Sequence, residues 1–455
     1  MSTLVRWFGF TTLLLCSLGS FRVASAEVAN RVDPAVRALL ASEPRVRVMV
    51  LFDVPKVAED ARTRLAIKSN ADAIISGLPA GHYSLKHRYL RVSALALEID
   101  ATALDALAAS ATPVRVGLDE GGVGSMLQSA PLARVTDTLN AGLLGAGAKI
   151  AVIDSGIDTD HLDFAGRIVA QQCFCAGVSG PAGCCPNGAD SMAGTGSAED
   201  DHGHGTNVSG IAAGGGAVAQ RGGAPSATIV AVKVLDANNS FCCASDVVAA
   251  FDWVRQNHPD TDAVNASLGT GALFAGVCDS AQPFTQALAL AVTNLVQNGT
   301  TVFVSTGNQG SASTTSAPAC VSDAFAVGAV WDANLASQMF LGCTEAPVVD
   351  KATCFTNSNA NVDLYAPGAF VTSSGRGGGL STFGGTSQAT PLTAGCATAL
   401  RGAFPDVSVA RMEAALETSP TTIVDAKNGL SFPRLDCAAA ARRLAENVFS
   451  NSFEG

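Results

Sequence analysis

The chain reads as an α/β protein: a parallel sheet flanked by helices, preceded by a small α+β unit. Three observations predict this. From residue 148 onward, short runs that are apolar on both faces alternate with helical segments, as in a parallel sheet covered on both sides. Between about residues 46 and 120, strand-like and helix-like runs follow the order βαββαβ, that of a ferredoxin-like unit. The chain also has 455 residues and 48% hydrophobic content, enough for more than one core.

Taken in order, the N-terminus reads as an export signal over residues 1–26. Arg6 precedes the apolar "FGFTTLLLCSLGSF", and the small-residue triplet Ala24 to Ala26 forms a cleavage pattern. No later apolar run reaches the roughly 18 residues a membrane helix needs, so the expectation is a soluble, secreted chain (extracellular or periplasmic) with no membrane anchor. Residues 27–125 form the small unit. Here "VRVMVLFDV" is a strand, "VAEDARTRLAIKSNADAIISGL" is helical, and "YSLKHRYLRVSALALEID" is two strands. "TALDALAAS" then makes a short helix and "PVRVGLDE" a last strand. The Gly-rich "GGVGSMLQSAP" reads as a flexible, cleavable connector.

Residues 126–445 carry the large sheet. "KIAVI", "TIVAVKVL", "AVNASL", "TVFVS" and "AFAVGAV" are its strands, and "SDVVAAFDWVRQN" and "AQPFTQALALAVTNLVQN" are helices between them. Residues 446–455 are expected to be a frayed tail. In such sheets, ligand and catalytic groups gather at the carboxyl edge of the strands.

Charge and cysteines narrow the function. A net charge of −11 with 15% charged residues argues against nucleic acid or an anionic membrane as a partner. Of thirteen cysteines, Cys16 lies in the signal. An even remainder in an exported chain points to disulfides. Neighbours such as Cys184 and Cys185, or Cys242 and Cys243, bond poorly to each other, so each is expected to pair outward.

Four segments carry candidate chemistry. Asp154 ends the strand in "KIAVIDSGID", where a half-buried carboxylate can orient an imidazole or simply cap a turn. "EDDHGHGTNVSG" sets His202 and His204 beside Asp200 and Asp201. This is either a metal clamp, a solvated turn, or the base of a nucleophilic enzyme. Ser387, in "FGGTSQATP", falls at a helix start, where it can be an N-cap or a nucleophile beside outward N–H groups. Asn308, in "VFVSTGNQG", can be a turn residue or a donor to a charged oxygen.

In this order, "AVIDSGID", "HGTNVSG", "STGNQG" and "GTSQATP" resemble the aspartate, histidine, oxyanion and serine motifs of the subtilisin-like serine proteases. "VKVLDANNS", "NASLGTG" and "LYAPG" are similar to further landmarks of that family. The resemblance implies a secreted serine endopeptidase on a subtilisin-like fold, with Asp154, His204 and Ser387 as triad and Asn308 as oxyanion donor. It implies Ser267, Leu268 and Gly269 beside the substrate backbone. Ser305, Thr306 and Gly307 would wall the pocket for the residue before the cut, with room for an apolar or aromatic side chain. The small N-terminal unit is similar to an inhibitory propeptide, so the expectation is an autoprocessed zymogen cleaved between about 120 and 129. The partners implied are protein or peptide substrates and the chain's own propeptide, and the mature form is expected to be a monomer.

No cofactor is expected for catalysis. Asp163 aligns with a family calcium ligand, but the partner loop "GGGAVAQRGG" is poor in oxygen ligands, so structural calcium is doubtful. The chain departs from the family pattern at Asn207, Ser209 and Gln388. The rival readings are a metal hydrolase built on His202, His204, Asp200 and Asp201, and a non-catalytic binding module.

Overall fold

The computed structural model describes residues 31–52, 61–88, 93–118, 126–177 and 182–451. The export signal, residues 119–125 of the connector and residues 452–455 lie outside the described residues. The chain divides into two compact units, 1–122 and 123–455.

In the first unit, the strands Val46–Phe52, Tyr83–Arg88, Ala94–Ile99 and Val114–Leu118 alternate with helices Ala61–Ser76 and Ala101–Ala108. The strands lie side by side in the order 114–118, 46–52, 94–99, 83–88, and every neighbouring pair is antiparallel. Alternation sets the buried face: Val46, Val48, Val50 and Phe52 point inward from one strand. They meet Ile67, Ala71 and Ile74 of the first helix and Leu104 and Leu107 of the second. Asp100 starts that second helix by accepting the Ala103 N–H at 3.1 Å. A short strand, Arg31–Val32, adds to the edge in parallel with 114–118, followed by helix Pro34–Leu40. Neither had been read from the sequence.

The second unit contains an eight-stranded sheet ordered Leu364–Pro367, Phe325–Val330, Thr301–Ser305, Ala263–Ala266, Lys149–Asp154, Thr228–Lys233, Ile168–Phe174, Ser191–Ala193. All neighbours are parallel except the last pair. Two-sided burial is visible residue by residue. Ile150, Val152, Ile229 and Ala231 pack on one face under helices His204–Ala213 and Thr386–Ala403. Ala151, Ile153, Val230 and Val232 pack on the other, under helices Ala244–Asn257 and Pro283–Gln297. The next-to-last strand, Ile168–Phe174, which only the short strand Ser191–Ala193 flanks on its outer side, carries Gln171 and Gln172 and is only partly buried, which explains why apolar runs do not reveal it. Among the described residues, no helix is long and apolar enough to cross a membrane. The last helix, Cys437–Asn451, runs on into the segment expected to fray.

All twelve cysteines after Cys16 are paired: Cys173–Cys185, Cys175–Cys184, Cys242–Cys243, Cys278–Cys320, Cys343–Cys354 and Cys396–Cys437. Cys184 and Cys185 pair outward as expected. Cys242 and Cys243 instead bond to each other, which corrects the expectation. Their Cα atoms are 3.7 Å apart, the ordinary spacing of consecutive residues rather than the wider one most bridges adopt. With the other ten cysteines already paired, each of these two finds its only available partner next door.

Candidate active site

Asp154 is the last residue of a central strand and is fully buried. Its Oδ1 lies 2.7 Å from His204 Nδ1. A carboxylate can only accept, so Nδ1 carries the proton and Nε2 is left as the base. The Ser155 N–H also donates to this Oδ1, at 2.7 Å.

His204 opens its helix, and the sequence around it is shaped by close approach. A Cβ on Gly205 would sit 2.1 Å from the Gly156 carbonyl oxygen, so only glycine lets the helix start press against the turn after Asp154. Asp200 anchors that start. It accepts the N–H groups of His202, Gly203 and Thr206 and the hydroxyls of Thr206 and Ser155. Asp201 pairs with Lys233 at 2.6 Å. Both carboxylates weighed for a metal hydrolase are therefore committed elsewhere, and among the described residues no group of three or more acidic, His or Cys side chains could hold a metal ion. Burial works against a charged His204, but the charge and hydrogen bond of Asp154 outweigh it, so its pKa is raised above the ordinary histidine value.

Ser387 is the second residue of helix Thr386–Ala403, so its N–H is free of an intrahelical partner. Its hydroxyl donates to the Ser267 carbonyl at 3.1 Å, and no hydrogen bond joins it to the imidazole. Pro391 lies four residues further on and has no N–H to offer the Ser387 carbonyl. That carbonyl accepts from the Ser267 hydroxyl instead, at 2.8 Å. The serine turn is thereby bound to the strand end at 267.

Two departures from the family pattern meet here. Gln388 Nε2 donates to Asn207 Oδ1 at 3.4 Å, with both side chains buried. This contact ties the first turn of the serine helix to the first turn of the histidine helix. Farther along, the helix backbones touch: a Cβ on Gly395 would fall 2.5 Å from the Ala212 carbonyl oxygen.

Asn308 follows the strand Thr301–Ser305. Its Oδ1 accepts the Thr386 N–H at 2.9 Å and the Thr386 hydroxyl at 3.0 Å. This fixes the amide orientation and leaves its Nδ2 as a donor beside the serine turn. Thr386 was missed by sequence reasoning, although the Gly-Thr-Ser triplet was its signal. Phe383 was missed too. Its ring stands edge-on to His204, with centroids 5.6 Å apart, and nothing in its local sequence marked it.

Ser387, Asn308, Ser267, Leu268, Gly269, Ser305 and Gly307 line one cleft of about 640 Å³. Thr306 does not line it. It is fully buried, with its hydroxyl 3.4 Å from that of Thr356.

Asp163, the calcium-ligand position, is buried and already saturated by donors. It accepts the N–H groups of Ala217, Val218 and Ala219 at 2.6, 2.8 and 2.9 Å and the Ser374 hydroxyl at 2.7 Å. Burial pushes its carboxyl up, but these hydrogen bonds outweigh it and hold the pKa below the ordinary value. N–H groups aimed at a carboxylate present positive charge where a cation would sit, so these residues do not fit calcium.

Residues 145–436 match the model of the subtilase family. The chain is 32% identical over 293 residues to the extracellular serine proteinase of Thermus sp. (strain Rt41A), covering 64% of this chain and 59% of that protein. It is 31% identical over 361 residues to the M-protease of Shouchella clausii (strain KSM-K16), covering 78% and 81%. To subtilisin E of Bacillus subtilis (strain 168) it is 32% identical over 286 residues, covering 62% of each.

Proposed function

The chain belongs to the subtilase family, and on that premise we propose that it is a serine endopeptidase acting through Asp154, His204 and Ser387. The observation that carries this reading is the 2.7 Å Asp154–His204 pair, set at the mouth of a helix tied to the one that begins with Thr386 and Ser387.

The reaction follows from the groups present. Ser387 Oγ leaves the Ser267 carbonyl, passes its proton to His204 Nε2 and attacks the peptide carbonyl carbon. The oxygen of that carbonyl gains charge and is received by Asn308 Nδ2 and the Ser387 N–H. His204 then delivers the proton to the leaving amine as the C–N bond breaks. Water repeats the sequence on the acyl-enzyme and frees the acid. Asp154 holds the imidazole in the correct tautomer and offsets its positive charge. The peptide backbone lies against residues 267–269 by strand addition, and Ser305 and Gly307 wall the pocket for the residue before the cut.

Labelling of the mature protein with a serine-directed fluorophosphonate tests this. One equivalent of mass added at Ser387 is expected, and an unlabelled serine in protein that hydrolyses peptides would end the reading. Asn308→Ala is expected to lower kcat by about 10²–10³-fold with little change in KM, a magnitude carried over from the same position in another subtilase. Steady-state kinetics on one peptide substrate checks it.

The expected export signal, the extracellular character of the Thermus relative and the disulfides support secretion. Residues 27–125 act as the propeptide, and autoprocessing falls between about 120 and 129, which N-terminal sequencing of the mature form checks. Stability at the loop 214–219 rests on the Asp163 carboxylate in place of calcium. Asp163→Ala leaves the N–H groups of Ala217, Val218 and Ala219 and the Ser374 hydroxyl without an acceptor, of which Ala219 and Ser374 are buried, and is expected to cost about 2 kcal/mol, while a chelator leaves this contribution intact. Because the folded pKa of Asp163 is depressed, its contribution is present above the unfolded carboxylate pKa and is lost as pH falls through the folded value. Thermal unfolding from pH 7 down to pH 3, with and without chelator, measures both effects.

A further inference from the structure

The reaction needs Ser387 Oγ and His204 Nε2 to meet, yet each residue is fixed by different partners. The imidazole is set by Asp154 at the end of a central strand. The serine hydroxyl rests on the Ser267 carbonyl at 3.1 Å. The two residues stand at the starts of two separate helices, His204–Ala213 and Thr386–Ala403. How closely they approach therefore depends on the packing of one helix on the other.

These helices meet at two levels. Away from the site, Gly395 lies so close to the Ala212 carbonyl that a Cβ would fall 2.5 Å from its oxygen. That contact fixes the separation of the helices at one point and leaves their near ends free to turn about it. At the site, Gln388 directly follows the nucleophile, and Asn207 lies one turn after His204 on the same flank of its helix. Gln388 Nε2 donates to Asn207 Oδ1 at 3.4 Å, and the two residues are 1% and 0% exposed. A hydrogen bond is directional, and in a water-excluded interior neither amide has a substitute partner. This contact sets the rotation that the glycine contact leaves open.

Asn207 is itself held from behind. Its Nδ2 donates to the Ser381 carbonyl at 2.9 Å and to the Ser381 hydroxyl at 3.2 Å. Ser381 belongs to the antiparallel hairpin formed by Val371–Gly375 and Gly379–Phe383, whose last residue packs edge-on to His204. Ser381 Oγ donates to the Ser374 carbonyl at 3.1 Å, and the Ser374 hydroxyl donates to Asp163 at 2.7 Å. The Asn207 amide thus has one orientation, with its oxygen toward the serine helix and its nitrogen toward the hairpin. Both 207 and 388 depart from the family pattern, and in space the two departures supply each other with a donor and an acceptor.

We propose that Asn207 and Gln388 are positioning residues for the reaction: their buried amide contact holds Ser387, on one helix, in the register that lets its hydroxyl reach the His204 imidazole on the other. This rests on the endopeptidase reading. Neither residue is among those that line the cleft, so the effect passes through Ser387 and His204 and not through substrate contacts.

The test uses mature enzyme with active sites counted by fluorophosphonate, and one peptide substrate. The variants are Asn207→Ala, Gln388→Met and the two combined; Gln388→Met keeps the length of the side chain and removes its N–H. Each single variant is expected to lower kcat per titrated serine by about tenfold, with KM within about twofold of wild type. The rate of serine labelling should fall by the same factor. Because the two side chains act through one contact, the combined variant is expected to lose about as much as Asn207→Ala alone, not the product of about a hundredfold. Single variants that melt at lower temperature but keep wild-type kcat per titrated serine would reduce the contact to a structural one and overturn the proposal. Losses that multiply in the combined variant would overturn it too. Where Asn207→Ala gives no folded protein, Gln388→Met decides alone, because Asn207 keeps its bonds to Ser381. A wild-type serine that does not titrate would instead remove the endopeptidase reading beneath the proposal.

Discussion

Ser387→Ala is expected to reduce kcat for peptide hydrolysis by at least 10³-fold, and toward the 10⁶-fold found for triad removal in another subtilase, while KM changes little. The physical reason is that the methyl group leaves no nucleophile for His204 to activate, yet the rest of the cleft is untouched. The carbonyl of residue 387 still accepts from the Ser267 hydroxyl, so the turn keeps its place. Substrate backbone contacts along 267–269 and the Asn308 amide, which Thr386 orients, also survive. Residual hydrolysis should then come from oxyanion stabilisation and binding alone. Single-turnover kinetics with the variant, its propeptide removed in trans because it cannot process itself, and checked for contaminating protease by fluorophosphonate, gives the number. A variant retaining more than about a tenth of wild-type kcat would place the nucleophile elsewhere.

Asp154→Asn is expected to lower kcat by about 10⁴-fold, the size of the tautomer effect in an unrelated serine protease. An amide at 154 faces two groups that now donate to Oδ1, the Ser155 N–H and the imidazole Nδ1–H. If its NH₂ takes the place of Oδ1, it donates to Nδ1. The imidazole must then carry its proton on Nε2, where it can no longer accept one from Ser387. The pH profile provides a second readout. The pKa of His204 stands above the ordinary value because Asp154 outweighs burial, and the reaction needs the neutral imidazole. Wild-type activity is therefore lost as pH falls through that raised value. With Asp154 neutralised, burial dominates and the acid limb of kcat/KM moves to lower pH. The same pair contributes to folding with the opposite dependence. Its stabilisation is full below the unfolded histidine pKa and is lost as pH rises through the folded one. An unchanged acid limb in the variant would mean that Asp154 does not control the imidazole.

Much of the large sheet was legible because burial on both faces forces continuous apolar runs. "KIAVI", "TIVAVKVL" and "TVFVS" could hardly be anything but central strands. The strand at 168–174 hid behind its glutamines, since near the rim of the sheet, with only a three-residue strand outside it, the demand for apolar residues relaxes. The candidate site was legible to the extent that it follows backbone geometry. Gly205 is required where the helix meets residue 156, and a serine at a helix start needs a tight turn before it. Such constraints are local, and local constraints leave motifs. Phe383 beside His204 left no trace, because its partner lies far off in the chain and many side chains could satisfy the same stretch of backbone.

By itself, the order of residues determined the α/β class, the family and the identity of the candidate catalytic groups, because each is written in short-range periodicity or in a contiguous motif. Only the tertiary structure decided how the departures are accommodated. Asn207 and Gln388 are 181 positions apart in the chain and hydrogen-bonded in the fold. Asp163 meets N–H donors in place of a cation, and Cys242 finds its partner in the next residue. Pairing is a matter of distance in space, and the spacing of residues along a chain carries that distance only where the backbone itself is the constraint.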